Sequence, residues 1–147
     1  MKLRPHHLLD IISAYGFDTV LEPHPYGHAV HTVAQTVLPN VEMEVEFIVG
    51  ADDICKPCKH LQPNGLCDDT LYPDTLASKQ EYNDAIDRRL FAYLGFNIGT
   101  IMTIRQFLCI VNEKVPGIET ICTHPKEDHG VRLDGLIKGL RKIGIRK

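Results

Sequence analysis

The alternation of apolar and polar residues divides the chain into helices, one strand and a cysteine-rich loop. Leu8, Ile11, Ile12 and Tyr15 recur at helical spacing, Pro5 suits a first turn and Gly16 a stop, so 3–15 reads as a helix. Between Ala29 and Leu38, Val30, Val33, Ala34 and Val37 would share one helical face, with His28, His31 and Gln35 opposite; the valines and threonines also tolerate a strand. The clearest strand is 41–49. There Val41, Met43, Val45, Phe47 and Val49 alternate with Glu42, Glu44, Glu46 and Ile48. A lone strand cannot satisfy its own backbone, so it needs a neighbour. The sequence offers 19–21, an extension beside the cysteines, or the same strand of a second subunit in a homodimer.

Further on, Asp74 or Thr75 can cap a helix running to Leu94, with Ile86, Leu90, Tyr93 and Leu94 inward and Gly95 as its stop. Thr103 and Gln106 form a capping-box pattern ahead of Phe107, Leu108 and Val111. Pro116-Gly117 breaks the chain before 118–122, and a last helix carries Leu133, Leu136, Ile137 and Leu140 on one face. Its basic end, with Lys138, Arg141, Lys142, Arg146 and Lys147, complements the helix dipole and needs no ligand. The expected architecture is a single α+β domain over 1–147, mainly α-helical, with four to five helices, one clear strand and a cysteine-rich metal loop.

Composition narrows the function classes. The 147 residues are 44% hydrophobic, enough for one core, and the net charge of −3 argues against broad nucleic-acid binding. No apolar run reaches about 18 residues, so no membrane helix is expected. The start, MKLRPHHLLDII, lacks the pattern of a signal peptide, which points to the cytoplasm. In that compartment an odd set of 5 cysteines suggests metal or redox chemistry rather than disulfides.

The candidate chemistry centres on GADDICKPCKHLQPNGLCDD, residues 50–69. Cys55 and Cys58 form a C-x2-C pair across a Lys56-Pro57 turn, and Pro63-Asn64-Gly65 can fold Cys67 back toward them. Lys56 and Lys59 are expected to favour the thiolates. Three cysteines leave a closed metal site one ligand short. Cys122, His7, His60 or His124 could complete a tetrahedral zinc site. His7 and Asp10 share a helical face, and His24, His28 and His31 fall within eight residues. With Asp10 they could surround a catalytic metal or an anionic substrate, although no complete catalytic motif is present. Cys55 or Cys67 could also act as a nucleophile beside a histidine. Cys109 lies apart and reads as a small, partly buried residue.

Taken together, Leu3-Arg4-Pro5-His6-His7-Leu8-Leu9, Gly50-Ala51-Asp52-Asp53-Ile54-Cys55 with Cys58 and Cys67, and more loosely Asp87-Arg88-Arg89 to Leu94-Gly95 and Ile121-Cys122, resemble domain of unknown function 1284. Members of that bacterial and archaeal family are often described as candidate iron–sulfur proteins. The resemblance implies a cluster on Cys55, Cys58, Cys67 and Cys122, working with an unidentified protein or small-molecule partner. A zinc ion is the alternative cofactor. The chain departs from the family pattern at Asp10, where a cysteine is usual, and after Cys122, where Thr123-His124-Pro125 and His129 replace further cysteines. Asp10 is therefore a further candidate ligand.

Overall fold

A computed structural model describes residues 1–72 and 76–147. In chain order it contains β1 (Lys2–Leu3), α1 (Pro5–Gly16), α2 (Val30–Val37), β2 (Glu44–Phe47), α3 (Lys79–Leu94), β3 (Ile101–Thr103), α4 (Ile104–Glu113), α5 (Glu119–Cys122) and α6 (His129–Ile143). The class is α+β and mainly helical, as the periodicity predicts. Among the described residues there are six helices and three strands, against the expected four to five and one. The extra elements are too short to show a period.

The strand at the centre of the sheet, β2, finds both its neighbours within the chain. It pairs parallel with β1, Leu3 opposite Phe47, and antiparallel with β3, Val45 opposite Met102. Neither 19–21 nor an extension beside the cysteines pairs with it, and both of its edges are taken within the chain. β1 and β3 offer only two and three residues, so neither carries an alternation to read. Val45 and Phe47 point into the core, and Phe47 stacks on Phe107 of α4 with centroids 4.4 Å apart. The region 30–37 is helical, which settles the helix–strand ambiguity there.

Helix ends follow local chemistry. Pro5 occupies the first turn of α1, and Gly95 closes α3 at φ 79°. Thr103 and Gln106 complete the capping box of α4. The expected cap at Asp74 or Thr75 lies outside the described residues; Ser78 caps α3 by accepting from the Glu81 N–H. Between α4 and α5 the Val115–Pro116 peptide is cis and Gly117 has φ 137°, so the chain breaks where Pro116-Gly117 indicates. No helix among the described residues is long and apolar enough to cross a membrane.

The tightest helix contact is the seam between α1 and α6. Gly16 of α1 meets Gly135 and Gly139 of α6, and a Cβ at Gly139 would press into the Ile12 carbonyl. Small residues let the two backbones approach directly, and Leu8, Ile11, Ile12, Leu136 and Leu140 seal the seam as buried core. Replacing an ordinary exposed helical glycine by alanine stabilises by about 1 kcal/mol. Here the sign reverses: Gly139→Ala is expected to destabilise by about 3 kcal/mol, because the colliding atoms are backbone. Urea unfolding checks this, and a gain in stability would mean that the seam is not close-packed.

Candidate metal centre

The cysteine loop is fastened by one carboxylate that the sequence reading passed over. Asp52 is 1% exposed and accepts four hydrogen bonds. Its Oδ2 takes the Arg4 N–H at 2.8 Å and the His7 Nδ1–H at 2.7 Å. Its Oδ1 takes the Ile54 and Cys55 N–H groups, each at 3.1 Å. One side chain thus joins the start of the loop to the β1–α1 junction. Beyond it, the Cys58 N–H donates to the Cys55 carbonyl at 2.9 Å and closes the C-x2-C turn. Leu61 and Cys67 form an antiparallel bridge around Gly65 at φ 81°, so the chain folds back as Pro63-Asn64-Gly65 suggests. The Cys67 N–H donates to Gln80 Oε1 at 2.8 Å, tying this hairpin to α3.

Cys122 arrives from α5 at the far side. All four cysteines line one cavity of about 410 Å³, together with His7, Asp10, His28, His60 and His124. His24 and His31 do not line it. His24 lies outside, stacked on His28 at 4.3 Å, and His31 is half-buried on α2. The histidine group is therefore split by the way the 24–28 turn enters α2. Cys109 is exposed on α4 rather than partly buried, since it falls off that helix's apolar stripe.

His7 and Asp10 do not pair with each other. His7 is held by Asp52, while Asp10 Oδ1 accepts from Arg132 Nη2 at 2.7 Å. Asp10 is thus committed to a guanidinium, which weighs against it as a substitute ligand. His60 Nδ1 donates to Asp68 at 2.8 Å, and its buried Nε2 has no hydrogen-bond partner among the described residues, with Asp69 Oδ1 4.0 Å away. His124 Nδ1 lies 2.6 Å from the Tyr72 hydroxyl. In His7 and His60 a carboxylate fixes the tautomer through Nδ1, leaving Nε2 as the nitrogen for a ligand. Metal-bound histidines are commonly supported in this way.

A second buried cluster supports the same wall. Arg4 Nη1 donates to Asp87 and forms an ion pair with Asp84, both at 2.9 Å, and His6 Nδ1 donates to Asp87 at 2.8 Å. Arg4 and His6 also line the cavity. The consecutive histidines at 6 and 7 were the available signal, but their carboxylates lie 81 and 45 residues away.

Among the described residues, one group of three metal-type donors lies within 4.8 Å of one another: His7, Asp52 and Cys55. No three cysteine sulfurs come that close. Burial and the neighbouring Asp52 charge push the Cys55 thiol up to about 12. Burial likewise raises the Cys67 thiol, and that of Cys122 against the pull of Arg132. The expected help from lysine is absent at Cys55. Lys56 pairs with Asp53 at 3.0 Å and Lys59 lies over the Tyr26 ring at 4.9 Å. A metal entering here must itself displace the Cys55 proton.

Burial disfavours a charged His7, but Asp52 outweighs it and the His7 pKa rises. Burial also opposes ionisation of Asp52; His7 and the backbone donors win, and its pKa falls well below the usual carboxylate range. The depressed Asp52 contributes stability above about pH 3.9 that is lost as pH falls. The raised His7 contributes below about pH 6.5, and this is lost as pH rises through its folded value. Asp52→Asn should therefore cost about 3 kcal/mol, with the gap from wild type widest between roughly pH 4 and 6.5. Urea unfolding across pH 3–9 measures it, and a gap independent of pH would refute the ion pair.

No curated protein and no solved structure shows significant similarity to the chain. The family model described as protein of unknown function (DUF1284) matches residues 24–126, a span that holds Cys55, Cys58, Cys67 and Cys122 but not the His6-His7 motif. With well over half its length matched and its cysteines inside the match, the chain belongs to the DUF1284 family.

Proposed function

We propose that this is a metal-binding protein whose cysteine-lined cavity holds an iron–sulfur cluster on Cys55, Cys58, Cys67 and Cys122. One observation carries the reading: four cysteines from the loop and from α5 line a single cavity of about 410 Å³. Spacing supports it. A single tetrahedral ion with metal–sulfur bonds of about 2.3 Å would hold its sulfurs roughly 3.8 Å apart. Here no three cysteine sulfurs lie within 4.8 Å of one another. Thiolates that bind separate irons of a cluster need such separation. When bound, a cluster of this kind supplies one-electron transfer.

The chain's own residues do the rest. Asp52 presents Cys55 and fixes His7, the Leu61–Cys67 bridge presents Cys67, and Gln80 holds that hairpin on α3. Ile54, Val30 and Ile86 give the cavity apolar wall. The physiological counterpart is then a protein or small molecule that exchanges electrons with the centre, in a reducing compartment such as the cytoplasm.

A zinc or other single-ion site is the second reading, and the His7–Asp52–Cys55 group favours it. Asp52 already accepts four hydrogen bonds, so it would orient His7 rather than bind the ion. Cys58 or Cys67 would have to move in to complete the set.

Purification without oxygen, followed by iron, zinc and acid-labile sulfide analysis, separates the two. Iron with sulfide and a broad absorption band near roughly 400 nm is the expected result. Stoichiometric zinc without colour would replace it with the single-ion reading. Cys58→Ser should lower metal affinity by about 100-fold or more and reduce the melting temperature with it. Unchanged metal content and melting would remove the central loop from the site.

A further inference from the structure

One buried cation next to a cavity cysteine has no part in the reading above. Arg132 of α6 is 7% exposed. Its Nε donates to Cys122 Sγ at 3.4 Å and its Nη2 to Asp10 Oδ1 at 2.7 Å. A neutral thiol is a weak acceptor, and a buried guanidinium N–H spent on one gains little. The same N–H is well matched to a sulfur that carries negative charge, as a metal-bound thiolate does.

We propose that Arg132 raises the reduction potential of the metal centre through its Nε–H···Sγ bond to Cys122, with Asp10 holding the guanidinium in place. The inference rests on the cluster reading of the preceding section and names a residue that adjusts it. Arg132 is a positioning residue: it acts through Cys122. Reduction adds one negative charge to the centre. A buried positive charge and an N–H dipole aimed at a ligand sulfur stabilise that added charge, so the reduced form is favoured. The step is one electron from a donor into the centre. No covalent bond forms or breaks, and the proton stays on the guanidinium, which is not deprotonated in proteins.

Arg4, the buried arginine that lines the cavity, is less suited to the role. Its charge is balanced by two buried or half-buried carboxylates, Asp84 and Asp87, each 2.9 Å from Nη1. Arg132 faces one carboxylate, Asp10, whose side chain is 50% exposed and screened by solvent. More of its charge is therefore felt at Cys122. The α1–α6 glycine seam sets the geometry, because it brings Asp10 of α1 within reach of Arg132 of α6 about two turns before the Gly16–Gly139 contact.

The test is an anaerobic redox titration of the full, metal-loaded chain with dithionite as the one-electron donor, following the absorption near roughly 400 nm. Arg132→Gln keeps hydrogen-bonding capacity and removes the charge. It should change the oxidised-to-reduced ratio at a given potential by about tenfold, a fall of about 59 mV. Asp10→Asn removes a negative charge and should move the potential the opposite way, a sign that a merely structural role would not produce. A loaded Arg132→Gln protein with the wild-type potential, or an Asp10→Asn shift in the same direction as Arg132→Gln, overturns the proposal. If Arg132→Gln does not fold, Asp10→Asn decides alone, since Asp10 is exposed and asparagine retains an acceptor oxygen. Loss of iron from Asp10→Asn would make Asp10 a ligand and overturn the role given to it here. Wild-type protein without iron and sulfide overturns the cluster reading and this inference together, whereas loaded protein with unshifted variants overturns this inference alone.

Discussion

The carboxylate of Asp52 is the point on which the rest of the site depends. A short strand, a helix start and a loop rich in proline and glycine bury Leu3, Leu8 and Ile54, but apolar burial is non-directional and does not set their register. Asp52 sets it with four hydrogen bonds, from the Arg4, Ile54 and Cys55 backbone N–H groups and from His7 Nδ1. Burial raises the free energy of an unsatisfied carboxylate far more than that of a satisfied one. The arrangement is therefore close to all-or-none. When Asp52 is seated, Cys55 faces the cavity and His7 holds one tautomer; when it is not, neither is fixed.

The same logic is repeated with different partners around the cavity. Asp87 takes Arg4 and His6, Asp68 takes His60, and Asp10 takes Arg132. In each case a carboxylate occupies one side of a cationic or tautomeric group; Arg4, His6 and His60 line the cavity, and Arg132 reaches it through Cys122. The cysteines then enter an environment whose polar groups are already oriented. Burial raises the Cys55, Cys67 and Cys122 thiols, which disfavours free thiolate chemistry and accords with the metal reading proposed above. A nucleophilic role for Cys55 or Cys67 is correspondingly disfavoured.

Helix packing decides how far apart these groups stand. Gly16, Gly135 and Gly139 let α1 and α6 touch along their backbones. That contact carries Arg132 to Asp10 and to Cys122, residues from three different helices. Larger residues along the seam would separate the helices and lengthen both bonds. A packing feature with no charged group of its own thereby sets an electrostatic one.

What the sequence determined by itself was local. Periodicity marked α1, α3, α4 and α6, the alternation of Val45 and Phe47 with glutamates marked β2, and Gly95, Thr103 and Gln106 marked helix ends, because each depends on residues within a few positions. The C-x2-C turn and the fold-back to Cys67 were legible for the same reason. The sequence did not reveal the partners of β2, since β1 and β3 are too short to carry a pattern. Nor did it reveal that His7 belongs to Asp52 and Asp10 to Arg132, because 45 and 122 residues separate those pairs. His7 and Asp10 look like partners along a helix. Only the tertiary structure, by setting each beside a distant group of opposite charge, decided otherwise.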